Sequence, residues 1–156
     1  MAKRVAAAVG VGVGRGRTTL LMSSVAAGAE VFKILPAALW RQVKADAAAW
    51  IPELPVDTQS GFIHFSEARQ LRGTLLRFFR PTDDVVILKV PVDLLRRECR
   101  EQPGGSASAE VRWDLAPSVG DHFAHLYHCR IPIAAVVAEA AVAWDAAGQP
   151  QCPFLE

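Results

Sequence analysis

A near-continuous run of aliphatic residues, VVILKV at 85–90, constrains the fold of this chain more than any other feature. Successive side chains of a strand point to opposite faces of its sheet, so this run presents apolar groups on both faces. Such a strand is typical of a sheet that is covered on both sides. The run therefore predicts a central strand with packed layers on either side.

Two amphipathic helices are predicted before that strand. Apolar residues recur at three- and four-residue steps over 37–49, after Pro36, and again over 67–79. Ser66 is expected to cap the second helix by accepting a backbone hydrogen bond. The segment between the helices, 51–60, holds two prolines and is predicted to be a loop.

The other segments predict short strands and turns. Strands are expected at 31–35, 62–65, 110–114 and 136–144, helical turns at 93–100 and 133–135, and a connector at 116–124. Strands that mostly follow one another, with two helices early in the chain, indicate an α+β fold with a mostly antiparallel sheet.

The first thirty residues differ in composition from the rest. Four basic residues stand there against one acid, Glu30, and large apolar side chains are few. We expect either a flexible basic extension or an organellar transit peptide over 1–30, followed by a single globular domain over 31–156. Met22 is a second candidate start. The glycines at 10–16 are not followed by the Gly-Lys-Ser/Thr sequence of a phosphate loop.

Charge and cysteine content exclude several classes of function. A formal net charge of +1 gives no electrostatic reason to expect nucleic acid as the main partner. No apolar run is long enough to cross a bilayer, so no membrane partner is expected. The three cysteines form neither a CxxC pair nor a disulfide framework, which favours a reducing compartment. We expect a cytoplasmic protein, or a mitochondrial or plastid one if the N-terminal segment is a transit peptide.

Two histidines stand in strand-like apolar surroundings. His64 lies between Ile63 and Phe65, and His125 lies two residues before Tyr127, so that on a strand the latter two share a face. A titratable ring buried in a strand needs a partner, which can be a core hydrogen bond or a ligand. The residues alone allow either interpretation.

A metal site is not predicted. Three histidines spaced by three residues over 122–128 precede Cys129, but this spacing shares one face only in a helix. Gly120 and Pro132 argue against a long helix there, and no regular ligand pair such as HExxH is present.

The order of several short motifs resembles a known family. The stretch GFIHFS at 61–66 is the specific part, and it is accompanied by FKI at 32–34, ALW at 38–40, WD at 113–114 and FAHLY at 123–127. In this order the motifs resemble the domain of unknown function 952 family over about residues 31–145. That family is similar to the ADP-ribosyltransferase-like fold group, whose domains form a split antiparallel β-sandwich. In active members the cleft of the sandwich holds NAD.

Two residues depart from the family's usual pattern beside the expected site. Ala124 stands where a proline is common, and His128 stands where a glycine is common. Lys33 stands where related NAD-using domains often have a histidine on the first strand. The shape of the site in this chain is therefore expected to differ from that of its relatives.

The resemblance implies NAD as the cofactor, or another small nucleotide-like ligand. It implies that His64 and Ser66 contact the ribose and that Lys33 contacts a phosphate. His125 and Tyr127 would pack against the base. For Lys33 the residues alone also allow an edge-strand lysine that discourages aggregation.

The same resemblance implies cleavage or transfer at the bond between nicotinamide and ribose. His125 and Asp114 are the predicted catalytic residues, with Asp114 stabilising the positive charge of an oxocarbenium-like transition state. Two other functions are consistent with the sequence. One is a non-catalytic module that binds a nucleotide-like ligand, and the other is a structural, partner-binding domain whose histidines are satisfied core groups.

Overall fold

The computed structural model describes residues 28–156, so the predicted N-terminal extension lies almost entirely outside the described residues. The helices are α1 (Ala37–Ala45), α2 (Pro55–Ser60), α3 (Ala68–Phe78) and α4 (Val92–Glu101), with a 3-10 helix at Ile133–Ala135. The strands are β1 (Glu30–Pro36), β2 (Trp50–Ile51), β3 (Ile63–His64), β4 (Val85–Pro91), β5 (Glu110–Ala116), β6 (Asp121–Tyr127), β7 (Ile131–Pro132), β8 (Ala138–Ala141), β9 (Ala143–Trp144) and β10 (Pro150–Gln151). All strand pairs are antiparallel, so the fold is the mixed α+β class that the sequence predicts.

The aliphatic run forms the central strand, β4, which pairs with β1 on one side and β8 on the other. Its side chains alternate between two apolar clusters. Leu88 packs in the main core with Trp40 of α1, whereas Ile87 packs in a second cluster with Leu71 and Leu75 of α3. Ile87 and Leu88 are both fully buried, so the prediction that both faces of this strand are covered is confirmed.

A second three-stranded sheet, in the order β3, β6, β5, carries the two histidine motifs. Leu126 of β6 lies opposite Ile63 of β3 and opposite Val111 of β5, and all three are buried in the main core beneath this sheet. A single antiparallel bridge between Phe32 and Ser66 joins the second sheet to β1 of the first. The two sheets therefore share one core, and β2–β7 and β9–β10 form two smaller ladders beside them.

The segment 51–60 is not a loop, and that prediction was wrong. Pro55 stands at the first position of α2, where its fixed φ and missing N–H are tolerated. Gly61 ends the helix with φ +83°, the left-handed conformation that favours glycine at this position. The two prolines of this segment mark the entry to a short helix, which brings Asp57 into the interior.

Other predicted boundaries moved for local reasons. α1 ends at Ala45 rather than at 49, because Ala47 takes φ +50° and the chain turns into β2. α3 begins at Ala68, and the Gln70 side chain caps it by accepting from the Glu67 N–H at 2.8 Å. The prediction that Ser66 caps this helix was therefore wrong.

Two predictions in the C-terminal half were also wrong in detail. The expected connector at 116–124 contains the start of β6, since Gly120, with φ +76°, turns the chain so that Ala116 pairs with Asp121. The strand expected at 136–144 is divided into β8, which pairs with β4, and β9, which pairs with β10. Within residues 28–156, no helix has the length and apolar character needed to cross a membrane.

Two glycines should respond oppositely to replacement by alanine. At Gly105 an added Cβ would lie 2.1 Å from the carbonyl oxygen of Cys99, a backbone atom that cannot move alone. At Gly73, within α3, an added Cβ would meet nothing within 4 Å. We expect Gly105→Ala to lower the free energy of unfolding by roughly 2 kcal/mol, and Gly73→Ala to raise it by about 0.5–1 kcal/mol. Urea unfolding measures both, and effects of the same sign would contradict the prediction.

Candidate functional site

Strand pairing brings the two histidine motifs together. His64 of β3 lies directly opposite His125 of β6, and Arg112 of β5 lies opposite His125 on its other side. Residues paired across an antiparallel sheet project from the same face. The imidazole rings of His64 and His125 are accordingly adjacent, with their centroids 5.2 Å apart and their planes nearly perpendicular.

His64 is held by a buried carboxylate that the sequence did not single out. Asp57 is only 1 % exposed, and its Oδ1 accepts from the ring Nδ1 of His64 at 2.9 Å and from the backbone N–H of His64 at 3.1 Å. Burial opposes ionisation of this carboxyl, but the hydrogen bonds from His64 and the charge of Lys33 outweigh it and lower the pKa of Asp57 to about 2. Asp57 is therefore an ionised acceptor at neutral pH.

Lys33 completes this buried group. Its Nζ donates to the two carboxylate oxygens of Asp57 at 3.0 and 2.8 Å and to the carbonyl oxygen of His64 at 3.2 Å. An ammonium has three protons, so each of them has a protein acceptor and none is left for a phosphate. Burial lowers the pKa of Lys33, and the attraction of Asp57 offsets this only in part.

This environment of Lys33 differs from both sequence interpretations. β1 is an edge strand of its sheet. The Lys33 side chain is nevertheless buried against Asp57, so it is not an exposed lysine that discourages edge-to-edge aggregation. The predicted phosphate contact has no donor available. Lys33 instead supports the carboxylate that orients His64.

His125 is held by a second carboxylate. Oδ2 of Asp114 accepts from Nδ1 of His125 at 2.8 Å and from the hydroxyl of Tyr127 at 2.5 Å. Burial works against ionisation of Asp114, but these two hydrogen bonds lower its pKa overall. Burial also raises the pKa of Tyr127, with Asp114 acting in the same direction, so the phenol stays a donor.

The two carboxylates determine which ring nitrogen carries the proton. An ionised carboxylate can only accept, so Nδ1 of His64 and Nδ1 of His125 are protonated. Burial lowers the pKa of His125, and Asp114 offsets this only in part, so the ring is neutral at neutral pH. Its Nε2 is then a hydrogen-bond acceptor. Neither Nε2 has a hydrogen-bond partner among residues 28–156. Neither of these nitrogens is fully buried without a partner.

An aromatic side chain supports the rings from one side. The Phe62 ring lies 4.1 Å from the His125 ring, 4.8 Å from the His64 ring and 5.1 Å from the Tyr127 ring, measured between centroids. The Arg112 guanidinium lies 3.8 Å from the centre of the Tyr127 ring. The rings are therefore fixed by packing as well as by their carboxylates.

Both histidines line one cleft of about 400 Å³. Its walls come from β1, the start of α2, β3, the end of α3, the β5–β6 turn and β6. The lining side chains are Phe32, Lys33, Ile34, Leu54, Val56, His64, Phe65, Ser66, Thr74, Phe78, Phe79, Ala116, Ser118, Val119, Phe123 and His125. Most of these side chains are apolar or aromatic, and the two histidines are among the few polar ones.

The remaining predicted site residues occupy different places. Ser66 lines the cleft and shares a hydrogen bond of 3.3 Å with the hydroxyl of Thr74. Tyr127 and Asp114 do not line the cleft. They lie behind His125 and position its ring, so that Asp114 is a positioning residue in this arrangement. Within the described part of the chain, no three His, Cys, Asp or Glu side chains are grouped as metal ligands.

The family is identified by comparison with known proteins. The family model described as "Protein of unknown function (DUF952)" matches residues 34–139, and the chain belongs to this family. No curated protein matches the chain significantly. The family's description names no activity.

The fold is similar to that of the solved protein CC0527 from Caulobacter crescentus. Its crystal structure is 30 % identical in sequence, covers 78 % of this chain and 93 % of that chain, and superposes with a TM-score of 0.61. The solution NMR structure of CC0527 gives a TM-score of 0.60, with 30 % identity over 78 % of this chain and 91 % of that chain.

Proposed function

We propose that this domain binds an NAD-like or ADP-ribosyl ligand, with the nucleoside half of the ligand in the cleft. The observation that carries the proposal is the pair of carboxylate-anchored histidines, His64 and His125, which line one cleft and each keep an unbonded Nε2. Two anchored ring nitrogens side by side can meet a ribose hydroxyl and the reacting group next to it. Two antiparallel sheets around a shared core also agree with the ADP-ribosyltransferase-like fold that the sequence resembles.

The walls of the cleft favour a flat ring. Phe32, Phe79 and Phe123 contribute aromatic surface, and Phe78 stands at the mouth with 65 % of its surface exposed. A mostly apolar pocket with a few convergent polar groups is the usual form of a small-molecule site. Among the described lining residues, the one lysine or arginine is Lys33, and it is neutralised by Asp57. The cleft thus fits a nicotinamide riboside unit, whereas a diphosphate has no positive partner inside it.

A smaller adjoining pocket offers that partner. This adjoining pocket, of about 190 Å³, shares Thr74, Phe78, Val119 and Phe123 with the cleft and also contains Arg77. Arg77 makes no ion pair with any residue in 28–156. A guanidinium without a carboxylate partner is a natural phosphate contact. We place the diphosphate of the ligand there, against Arg77.

For cleavage, the chain supplies a base next to the ribose. Bound NAD would supply the scissile bond between C1′ and the nicotinamide nitrogen, which departs with the bonding electron pair as neutral nicotinamide. Nε2 of His125 accepts the proton of the water or acceptor hydroxyl that forms the new bond to C1′. Asp114 keeps the proton of the ring on Nδ1, so that Nε2 is the basic atom. His64 holds a ribose hydroxyl and is itself held by Asp57.

One observation favours binding without turnover. Asp57 is paired with Lys33, and Asp114 lies behind His125, so no unpaired carboxylate lines the cleft. An oxocarbenium-like transition state gains most from a negative charge fixed nearby. The second candidate function is therefore a non-catalytic module for the same ligand. Chromatographic assay of nicotinamide released from NAD separates the two functions.

Calorimetry tests the placement of the ligand. We expect the full chain to bind nicotinamide riboside, ADP-ribose and NAD, with the two phosphate-bearing ligands bound more tightly. Arg77→Gln should weaken NAD binding by about fivefold, as the loss of one exposed charged hydrogen bond costs about 1 kcal/mol. The same variant should leave nicotinamide riboside binding unchanged. Arg100→Gln, which also changes an exposed arginine in the last turn of a helix, is the matched control.

The outcomes distinguish the two parts of the proposal. No heat of binding with any of the three ligands at millimolar concentration would overturn the proposed function. Equal loss of NAD affinity in Arg77→Gln and Arg100→Gln, with nicotinamide riboside still bound, would remove the phosphate placement alone.

A further inference from the structure

A second pocket is lined in part by Phe62, and it contains a cysteine. This second pocket, of about 370 Å³, is formed by the loop before α2, the Gly61–β3 segment, the loop after α4 and the turn between β6 and β7. Its lining residues are Glu53, Gly61, Phe62, Ile63, Gly104, Ser106, Leu126, His128, Cys129 and Arg130. Cys129 is half-buried and lines this pocket.

A buried cysteine lies behind it. Cys99 of α4 is fully buried in the main core, against which Cys129 also packs. The Cys99 thiol donates to the carbonyl oxygen of Arg130, the residue that follows Cys129, at 3.6 Å. One cysteine therefore lines a pocket, and the other is enclosed in the core against which the first one packs.

The surroundings make these two thiols chemically unequal. The Cys99 side chain lowers the pKa of Cys129; burial opposes this, and the backbone N–H and the charge of Arg130 reinforce it. The same contact and burial raise the pKa of Cys99. The thiolate is the reactive form of a cysteine. Cys129 lines the pocket and Cys99 is fully buried, so Cys129 is the nucleophile and Cys99 the resolving thiol. Burial raises the pKa of the third cysteine, Cys152, which has no such partner among the described residues.

We propose that Cys129 and Cys99 are a peroxide-reactive pair, in which Cys129 is oxidised first and Cys99 resolves it as a disulfide. The sulfur of Cys129 attacks a hydroperoxide, a sulfur–oxygen bond forms, the oxygen–oxygen bond breaks, and an alkoxide or hydroxide leaves. Cys99 then attacks the sulfenic acid sulfur, and the disulfide forms as water departs with the proton of the Cys99 thiol. Two thiols are oxidised, and one hydroperoxide is reduced to an alcohol or water.

The bond would connect α4 to the turn that follows β6. That turn begins directly after Tyr127, whose hydroxyl bonds to Asp114, and includes His128, which holds a left-handed φ of +63°. Closing the disulfide would restrain this turn beside the ring cluster of Phe62, His125 and Tyr127. The proposal does not depend on which ligand the cleft binds.

Oxidation of the reduced full chain tests the pair. We treat it at neutral pH with a small excess of hydrogen peroxide, count thiols, and map the peptides by mass spectrometry. We expect two thiols to disappear, a Cys99–Cys129 linked peptide to form, and Cys152 to stay reduced. Cys99→Ser should stop at a sulfenic acid on Cys129, which dimedone traps, and Cys129→Ser should leave Cys99 unoxidised.

The controls separate reactivity from folding. Cys152→Ser, which changes the third thiol, should form the linked peptide as the wild type does. Because Cys99 is buried, circular dichroism checks that its serine variant is folded, and Cys99→Ala replaces it if it is not. Modification of Cys152 as fast as Cys129, linkage only between chains, or three intact thiols after treatment would overturn the proposal.

Discussion

Asp57→Asn should be the most destabilising conservative substitution in the site, and we expect it to lower the free energy of unfolding by about 3 kcal/mol or more. The variant leaves the buried ammonium of Lys33 without its counter-charge, and breaking one side of a buried ion pair typically costs about 3–5 kcal/mol. The side chain also accepts from the backbone N–H groups of Leu54 and His64, at 3.0 and 3.1 Å. An amide has only one oxygen for these donors, so at least one of them loses its acceptor.

Urea unfolding at neutral pH measures the effect against a matched substitution. Asp84→Asn also breaks a carboxylate–cation pair, but Asp84 is 74 % exposed and lies 3.8 Å from Arg41, so about 0.5 kcal/mol or less should be lost. Adding Lys33→Met to Asp57→Asn removes the stranded charge and should recover part of the stability. A loss in Asp57→Asn no larger than in Asp84→Asn would show that the buried pair does not support the fold.

Acid unfolding supplies a second readout for the same variant. The pKa of Asp57 is lowered from about 3.8 in the unfolded chain to about 2 in the fold. A depressed carboxyl pKa stabilises the protein above the unfolded value, and this stability is lost as pH falls from about 4 towards 2, a contribution of about 2 kcal/mol. Other carboxyls with lowered pKa values, such as Asp114, titrate in both proteins. The difference between wild type and Asp57→Asn over this window therefore reports Asp57.

The dependence of Asp57 on distant residues explains why the sequence did not predict it. Its carboxylate is fixed by Lys33, 24 residues earlier, and by His64, seven residues later. The three residues lie in three different elements, β1, α2 and β3, so no local pattern connects them. The prolines around it were interpreted as a loop, where an aspartate would be solvated. The signal that could have found it is Pro55 followed two residues later by an acid, a helix-start pattern.

What the sequence did predict rests on local rules. The aliphatic run at 85–90 required a two-sided strand, because the alternation of side chains in a strand does not depend on its partners. Strand alternation likewise placed His125 and Tyr127 on one face. The pairing of His64 with His125 is a matter of register between distant strands, which only the three-dimensional fold determines. The motif order indicated the family. It did not indicate that Asp57 bonds to His64 and Asp114 to His125.

The second large effect concerns His125 in the cleavage of NAD. If the cleft carries out the proposed reaction, His125→Ala should reduce kcat/KM for nicotinamide release by about 10²–10⁴, the usual contribution of a general base. His122→Ala is the matched control, since His122 lies on the same strand, is exposed and does not line the cleft. Equal activity in the two variants would exclude His125 as the base.

Asp114→Asn distinguishes positioning of the base from a structural role. The carboxylate favours the protonated imidazole, so Asp114 raises the pKa of His125 against the larger lowering caused by burial. The wild-type rate should therefore fall in acid with an apparent pKa below the ordinary histidine value of about 6.5. In Asp114→Asn that acidic limb should move to still lower pH, while the plateau falls because Nδ1 is no longer held as a donor. A merely structural defect would lower the plateau without moving the limb, so the pH profile, rather than the rate alone, decides whether this aspartate acts through His125.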